Sequence, residues 1–250
     1  MGSICNNDKN GRKLKKVELS KSISLKSVNS NEDYIEQKRL ENIPISIPSG
    51  KLKIIKEQMK KCICHIKSSV WEDITGFFCG ILFPDKYLKL PVLIATSKIM
   101  EKMSEEKIIF LNVDNNQLKL TIKLENNRKI FIDEKYDITI IEIKRTDGLD
   151  INSFLDIDNQ IFKNDINFVN QSIYIIYYEK EEKVHYSTGI IKHISDGYKI
   201  EHTCQSKLSS LGNPIINVNN NRVIGIDLGG IKSKIYNFRK LLKDPIIKFN

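Results

Sequence analysis

Leu118, Leu120, Ile122 and Leu124 alternate with Lys119, Thr121 and Lys123, a period of two that turns one row of side chains inward and leaves the other in water. That pattern predicts a β-strand. Asp114-Asn115-Asn116 ahead of it predicts a hairpin turn back to the apolar stretch 108–113. The arrangement recurs: residues 172–178 and 184–194 flank the charged turn 179–183, and residues 214–218 and 223–226 flank Asn219-Asn220-Asn221. Many short strands divided by turn residues, with no βαβ alternation and no internal repeat, predict a sandwich or barrel. Ile, Val, Tyr, Phe and Thr recur throughout, and Ala95 is the only alanine, so the composition favours strands over long helices.

At 250 residues and 28.9 kDa, with 40% hydrophobic residues, the chain accommodates one domain of the larger all-β kind plus an extension. Residues 1–50 are polar and rich in Ser, Asn and Lys, and lack the alternation seen later. They are expected to form a disordered or weakly ordered tail ahead of a folded domain over 51–250. Five cysteines are an odd number, and only Cys62 and Cys64 lie close together, in a strand-like stretch that would put both on one face. No disulfide framework is visible, which points to a reducing compartment and a cytoplasmic location. The start of the chain has no continuous apolar run of the secretory kind, and the apolar stretches 77–83 and 90–95 are too short to span a bilayer.

The extreme N-terminus carries a sharper signal. Met1-Gly2-Ser3-Ile4-Cys5-Asn6 resembles an N-myristoylation signal, in which removal of Met1 exposes the Gly2 amine; Asn6 departs from the Ser or Thr of the strict pattern. One acyl chain holds a protein to a bilayer only marginally, so a second attachment is required. Cys5 is placed for palmitoylation. Lys9, Arg12, Lys13, Lys15, Lys16, Lys21 and Lys26 are opposed only by Asp8 and Glu18, so seven positive charges less two negative leave +5 of the chain's +9 there. These features predict a tail on the cytoplasmic face of a membrane. The basic run lacks the aromatic interleaving of a base-stacking surface, and no nucleic acid is expected as a partner.

Further segments of the chain carry a family resemblance. Thr75-Gly76-Phe77-Phe78-Cys79-Gly80-Ile81, followed by Pro91-Val92-Leu93-Ile94-Ala95-Thr96-Ser97-Lys98, resembles the strand pair of trypsin-like (chymotrypsin-fold) serine peptidases that reads GTGFFC and PVLITNNHVL. Tyr136-Asp137-Ile138-Thr139-Ile140-Ile141-Glu142 resembles the segment holding the family's triad aspartate, and the stretch 204–214 lies where the family carries its G-x-S-G-x-P nucleophile loop. Val223-Ile224-Gly225-Ile226 is similar to the strand lining the primary specificity pocket. The resemblance implies an all-β fold of two six-stranded antiparallel barrels, about 51–155 and 156–250, with the active site between them. It also implies that Lys98 stands in the histidine slot, Asp137 in the aspartate slot, Leu211 in that of the nucleophile, and Ser209 at an oxyanion-hole glycine. A short C-terminal helix is expected over 238–243.

The chemistry implied by those positions is a loss. The serine hydroxyl of such a triad attacks only when a neutral imidazole accepts its proton and a carboxylate fixes the tautomer. Leucine has no nucleophilic atom, and an ammonium with a reference pKa of about 10.4 stays protonated at neutral pH. The reading is therefore a non-catalytic relative that binds a protein or peptide partner, with Lys98 and Asp137 forming an ion pair, and with no cofactor. The alternative is a serine endopeptidase with a rearranged site using Ser209 or Ser210 and one of His185, His193 or His202. Cys62-Ile63-Cys64-His65 offers two thiols and an imidazole, but no second ligand pair follows at usable spacing, so no metal is expected.

Overall fold

The computed structural model describes residues 47–66, 73–82, 89–100, 106–113, 116–150, 154–163, 168–179, 183–205, 210–230 and 237–249. Residues 1–46 of the expected tail, with Gly2 and Cys5, lie outside them, as does Ser209. The first described element is a helix, α1 (Ser49–Lys61), that the strand-like patterning did not announce. Its apolar residues Leu52, Ile55 and Met59 recur at i, i+3 and i+7, and Ile55 is buried while Met59 packs on the core. The helix stops at Cys62, whose N–H bonds the Gln58 carbonyl at 2.9 Å. Cys62 is thus a helix end in αR geometry and not a strand residue. It enters a different apolar cluster from Cys64, which corrects the expectation that the two share a face.

The first barrel is built from β1 (Ile63–Ile66), β2 (Asp73–Leu82), β3 (Lys89–Ala95), β4 (Glu106–Val113), β5 (Asn116–Lys123), β6 (Ile130–Asp133) and β7 (Ile138–Glu142), in the order β5-β4-β1-β2-β3-β7-β6. Two short strands, β8 (Leu155–Asp156) and β12 (Ser210–Leu211), join β2 in parallel. The second barrel is closed: β9 (Ser172–Glu179), β10 (Lys183–Ser195), β11 (Lys199–His202), β13 (Asn213–Asn217), β14 (Val223–Gly230) and β15 (Asn237–Leu241) run round it as β10-β11-β15-β14-β13-β9. A C-terminal helix, α2 (Lys243–Phe249), ends the chain's described part. The helix predicted over 238–243 is displaced, because the backbone there is taken up by pairing with β14 and β11. Pro245 falls in the first turn of α2, where a missing N–H costs nothing.

Register explains the packing. Phe77 pairs with Ile94 and Ile94 with Ile140, while the neighbouring row pairs Phe78 with Leu93 and Leu93 with Ile141. The first row enters a cluster continuous with the second barrel's core, and the second row fills the first barrel with Cys64, Ile66, Ile74 and Ala95. β2, β3 and β7 are buried on both faces, which is why they read as unbroken apolar runs. β5 is covered on one face only, with Ile122 buried and Thr121 and Lys123 exposed. Each fully buried Phe or Ile contributes about 1.5–3 kcal/mol.

Among the described residues the first sheet has β5 and β6 at its ends. Arg128 joins this region: its Nε donates to the Lys123 carbonyl at 2.7 Å, Nη1 to the Glu142 carbonyl at 2.7 Å, and Nη1 and Nη2 to the Asp147 carboxylate at 2.8 Å each. The carboxylate bond raises the guanidinium's pKa, against an opposing effect of burial. No described helix is long and apolar enough to cross a membrane.

Candidate functional site

β3 ends at Ala95, paired with Thr139, and the chain turns at once into a short 3-10 helix, Ser97–Met100. On the facing side the turn after β6 delivers Asp137 with φ +52°, a left-handed conformation that Asp tolerates better than most residues, immediately before β7. The two turns therefore meet. One carboxylate oxygen of Asp137, Oδ1, accepts from Thr96 Oγ1 at 2.6 Å, Ser97 Oγ at 2.6 Å and Ser97 N–H at 3.1 Å. The other, Oδ2, lies 4.0 Å from the Lys98 Nζ, with both side chains about a quarter exposed. A pair at that separation and exposure is worth about 1 kcal/mol or less. Asp137 is held chiefly by its three hydrogen bonds, and Lys98 adds a charge beside them.

The third predicted position arrives from the second half of the chain. Leu211, in β12, pairs in parallel with Ile74 and is 8% exposed. Gly212 follows with φ +88°, and a Cβ there would collide with the Thr75 carbonyl oxygen and stand 3.5 Å from the Thr96 nitrogen. Only glycine fits, for both reasons. Its N–H bonds the Asp227 carbonyl at 2.9 Å, so this one residue touches β2 of the first barrel and β14 of the second. Thr96, which holds Asp137, is also its neighbour. The structure thus brings Thr96, Ser97, Lys98, Asp137 and the Leu211-Gly212 turn to one place where the barrels meet. For Ser210 only the backbone is described.

The other sequence candidates sit elsewhere. His185 stacks against Tyr177 with ring centroids 6.0 Å apart, His193 pairs with Glu201 across β10 and β11, and His202 pairs with Ile191. All three belong to the β9-β10-β11 side of the second barrel. His65 lies opposite Thr75 on β1, its ring 5.5 Å from Tyr178. Among the described residues no three His, Cys, Asp or Glu side chains are grouped to hold a metal ion.

Sequence reading missed the support behind Asp137. Lys240, on β15 and 8% exposed, donates from Nζ to the Lys135 carbonyl at 2.7 Å. Burial lowers its ammonium below the usual lysine value, with the nearby carboxylates of Asp137 and Asp133 acting in the opposite direction. Tyr136 Oη donates to Asp244 at 2.7 Å, and that bond, followed by burial, pushes the phenol up to about 12. Lys248 reaches Asp133 at 2.8 Å. β15 and α2 thus hold the 133–137 turn from the second barrel. The isolated lysines and Tyr in the sequence gave no sign of this, because the partners lie about a hundred positions apart.

Two antiparallel β-barrels packed together, with a shared site built from the ends of their strands, constitute the chymotrypsin fold of trypsin-like serine peptidases. Solved structures with this architecture resemble the chain at low identity. The Deg5 crystal structure matches at 15% identity with a TM-score of 0.51, over 80% of this chain and 93% of that one. The serine endoprotease from Yersinia pestis matches at 11% with a TM-score of 0.56, over 81% of this chain and 66% of that one, and the VesB protease of Vibrio cholerae at 12% with a TM-score of 0.54, over 77% and 64%. No family model matches the sequence. No curated protein matches it either.

Proposed function

We propose that this protein is a non-catalytic member of the trypsin-like fold that works as a binding or scaffold module. In this reading Lys98, Asp137 and Leu211 occupy the triad positions. The observation that carries it is the environment of Asp137: its Oδ1 is taken by Thr96 and Ser97, and the Lys98 ammonium stands 4.0 Å from its Oδ2, where a triad would have an imidazole. An ammonium cannot accept a hydroxyl proton at neutral pH, and a leucine ahead of Gly212 offers no hydroxyl. What remains is a carboxylate-centred joint between two strand ends, whose use is to hold the barrels' facing loops in a fixed form for recognition. A protein or peptide partner fits the inter-barrel face better than a small molecule, since strand edges recognise extended chains through backbone hydrogen bonds.

The test is reaction of the purified full chain with a fluorophosphonate probe, which phosphonylates activated serines whatever the substrate. No labelling beside a labelled active peptidase is the expected result. Labelling that disappears in Ser209→Ala or Ser210→Ala would establish the rearranged peptidase instead. The tail supplies the second half of the proposal, attachment to the cytoplasmic face of a membrane through acylation of Gly2 and Cys5. In fractionated cells Gly2→Ala moves the protein to the soluble pool; a variant as membrane-bound as the parent would refute the acyl anchor.

A further inference from the structure

The outer face of α1 is charged in a way that works against the helix itself. Five of its thirteen residues are lysines and only Glu57 is acidic. With Ile55 and Met59 turned to the core, the outward arc carries the exposed Lys53 and Lys56 and the half-buried Lys60 at i, i+3 and i+7, with Lys61 and Glu57 beside them. Lysines at those spacings repel, and Lys51 lies in a first turn with no acidic residue, where the helix dipole disfavours cations. Glu57 and Lys61 form a compensating pair at 3.5 Å and i, i+4 spacing. Lys51 points the other way and donates to the carbonyls of Val218 and Asn219, tying the helix to the second barrel.

Two other features belong to the same side of the molecule. Ile54 flanks the lysine arc and is 42% exposed. α1 packs beside β4 on the outside of the first sheet, and β5, the strand next to β4, turns Ile122 into the barrel and leaves Lys119 and Lys123 exposed on the outer side. In sequence, the helix follows the stretch that carries +5.

We infer that the outer face of α1, with Lys119 and Lys123 at its flank, is a docking surface for an anionic lipid bilayer. The cationic arc meets lipid headgroups, Ile54 enters the interface, and the half-buried Lys51 anchor fixes how the rest of the domain stands on the membrane. This surface is part of the folded domain and acts whether or not Gly2 is acylated. It therefore goes beyond the acyl anchor proposed above and fails or stands separately from it.

The experiment uses the full chain produced without acylation and vesicles of phosphatidylcholine, alone or with about one-third phosphatidylserine. The parent protein binds the anionic vesicles, releases them as salt rises, and ignores the neutral ones. Lys53→Glu combined with Lys56→Glu weakens binding at least tenfold, since each lysine at an anionic surface is worth roughly fivefold. Lys53→Arg with Lys56→Arg keeps it, and Ile54→Gln weakens it less than the charge reversal does. An unchanged thermal transition for each variant shows that the fold is intact. Equal binding by the parent and the Glu variant would assign any affinity to the tail alone and overturn the inference, as would absence of binding to anionic vesicles. Binding of a labelled RNA or DNA duplex in preference to the vesicles, lost in the same Glu variant, would give the face to nucleic acid and overturn it equally.

Discussion

The second barrel closes through its backbone, with six strands hydrogen-bonded in a ring, whereas the first sheet has β5 and β6 at its ends and Arg128 bonding to carbonyls of β5 and β7 and to Asp147. A backbone ring distributes its cohesion over many equivalent bonds. A side-chain stitch concentrates it in one residue, and the same first barrel supplies Thr96, Ser97, Lys98 and Asp137. The second barrel is a uniform scaffold, whereas individual side chains hold the ends of the first.

Four substitutions and one reagent sharpen that contrast. Gly212→Ala, which forces a Cβ onto the Thr75 carbonyl at φ +88°, removes more than about 4 kcal/mol of folding free energy, read by denaturant titration. A small effect there would mean that the two barrels do not meet as tightly as described. Arg128→Ala leaves the buried Asp147 carboxylate uncompensated and is expected to cost about 3–5 kcal/mol, with hydrogen exchange accelerating first in β5 and β6 and later in the second barrel. Simultaneous loss of protection in both barrels would contradict the idea of a local stitch. Asp137→Ala strips acceptors from Thr96 and Ser97 and costs about 1–3 kcal/mol, while Lys98→Met costs less than about 1 kcal/mol. Comparable losses from both would show that the ion pair, and not the hydrogen bonds, holds the joint.

The thiols give the smallest and simplest readout. Burial pushes the Cys62 thiol up to about 12 and raises Cys64 and Cys79 as well, so at pH 8 all three stay protonated in the folded protein. A thiol reagent at that pH reacts with them only as fast as the chain opens. Rapid reaction in native buffer would locate the weak end of the first barrel at β1 and β2.

What the sequence revealed followed burial. β5 has one wet face and its alternation was plain; β2, β3 and β7 are buried on both faces and were placed by resemblance, β2 and β3 to a family strand pair and β7 to the segment holding the triad aspartate. α1 escaped notice because its three apolar residues are diluted by lysines and abut the strand residues after Cys62. The meeting of Thr96 and Asp137 was legible as two motif fragments in the expected order. The role of Lys240 was not, since it depends on β15 being laid against β14 and its ammonium reaching a carbonyl more than a hundred residues earlier. Gly212 lies in the stretch matched to the family's nucleophile loop, and the structure supplies the reason for a glycine there, a contact between backbones that leaves no room for a side chain.

The measurement that bears most directly on the proposed lack of catalysis is a search for new peptide termini, by mass spectrometry, after the purified full chain has been incubated with an unfolded cell extract. The account predicts the same termini as with a heat-inactivated sample. Termini that appear only with the native protein, share a residue preference at the cleavage point, and vanish in Ser210→Ala would contradict it and establish a working peptidase.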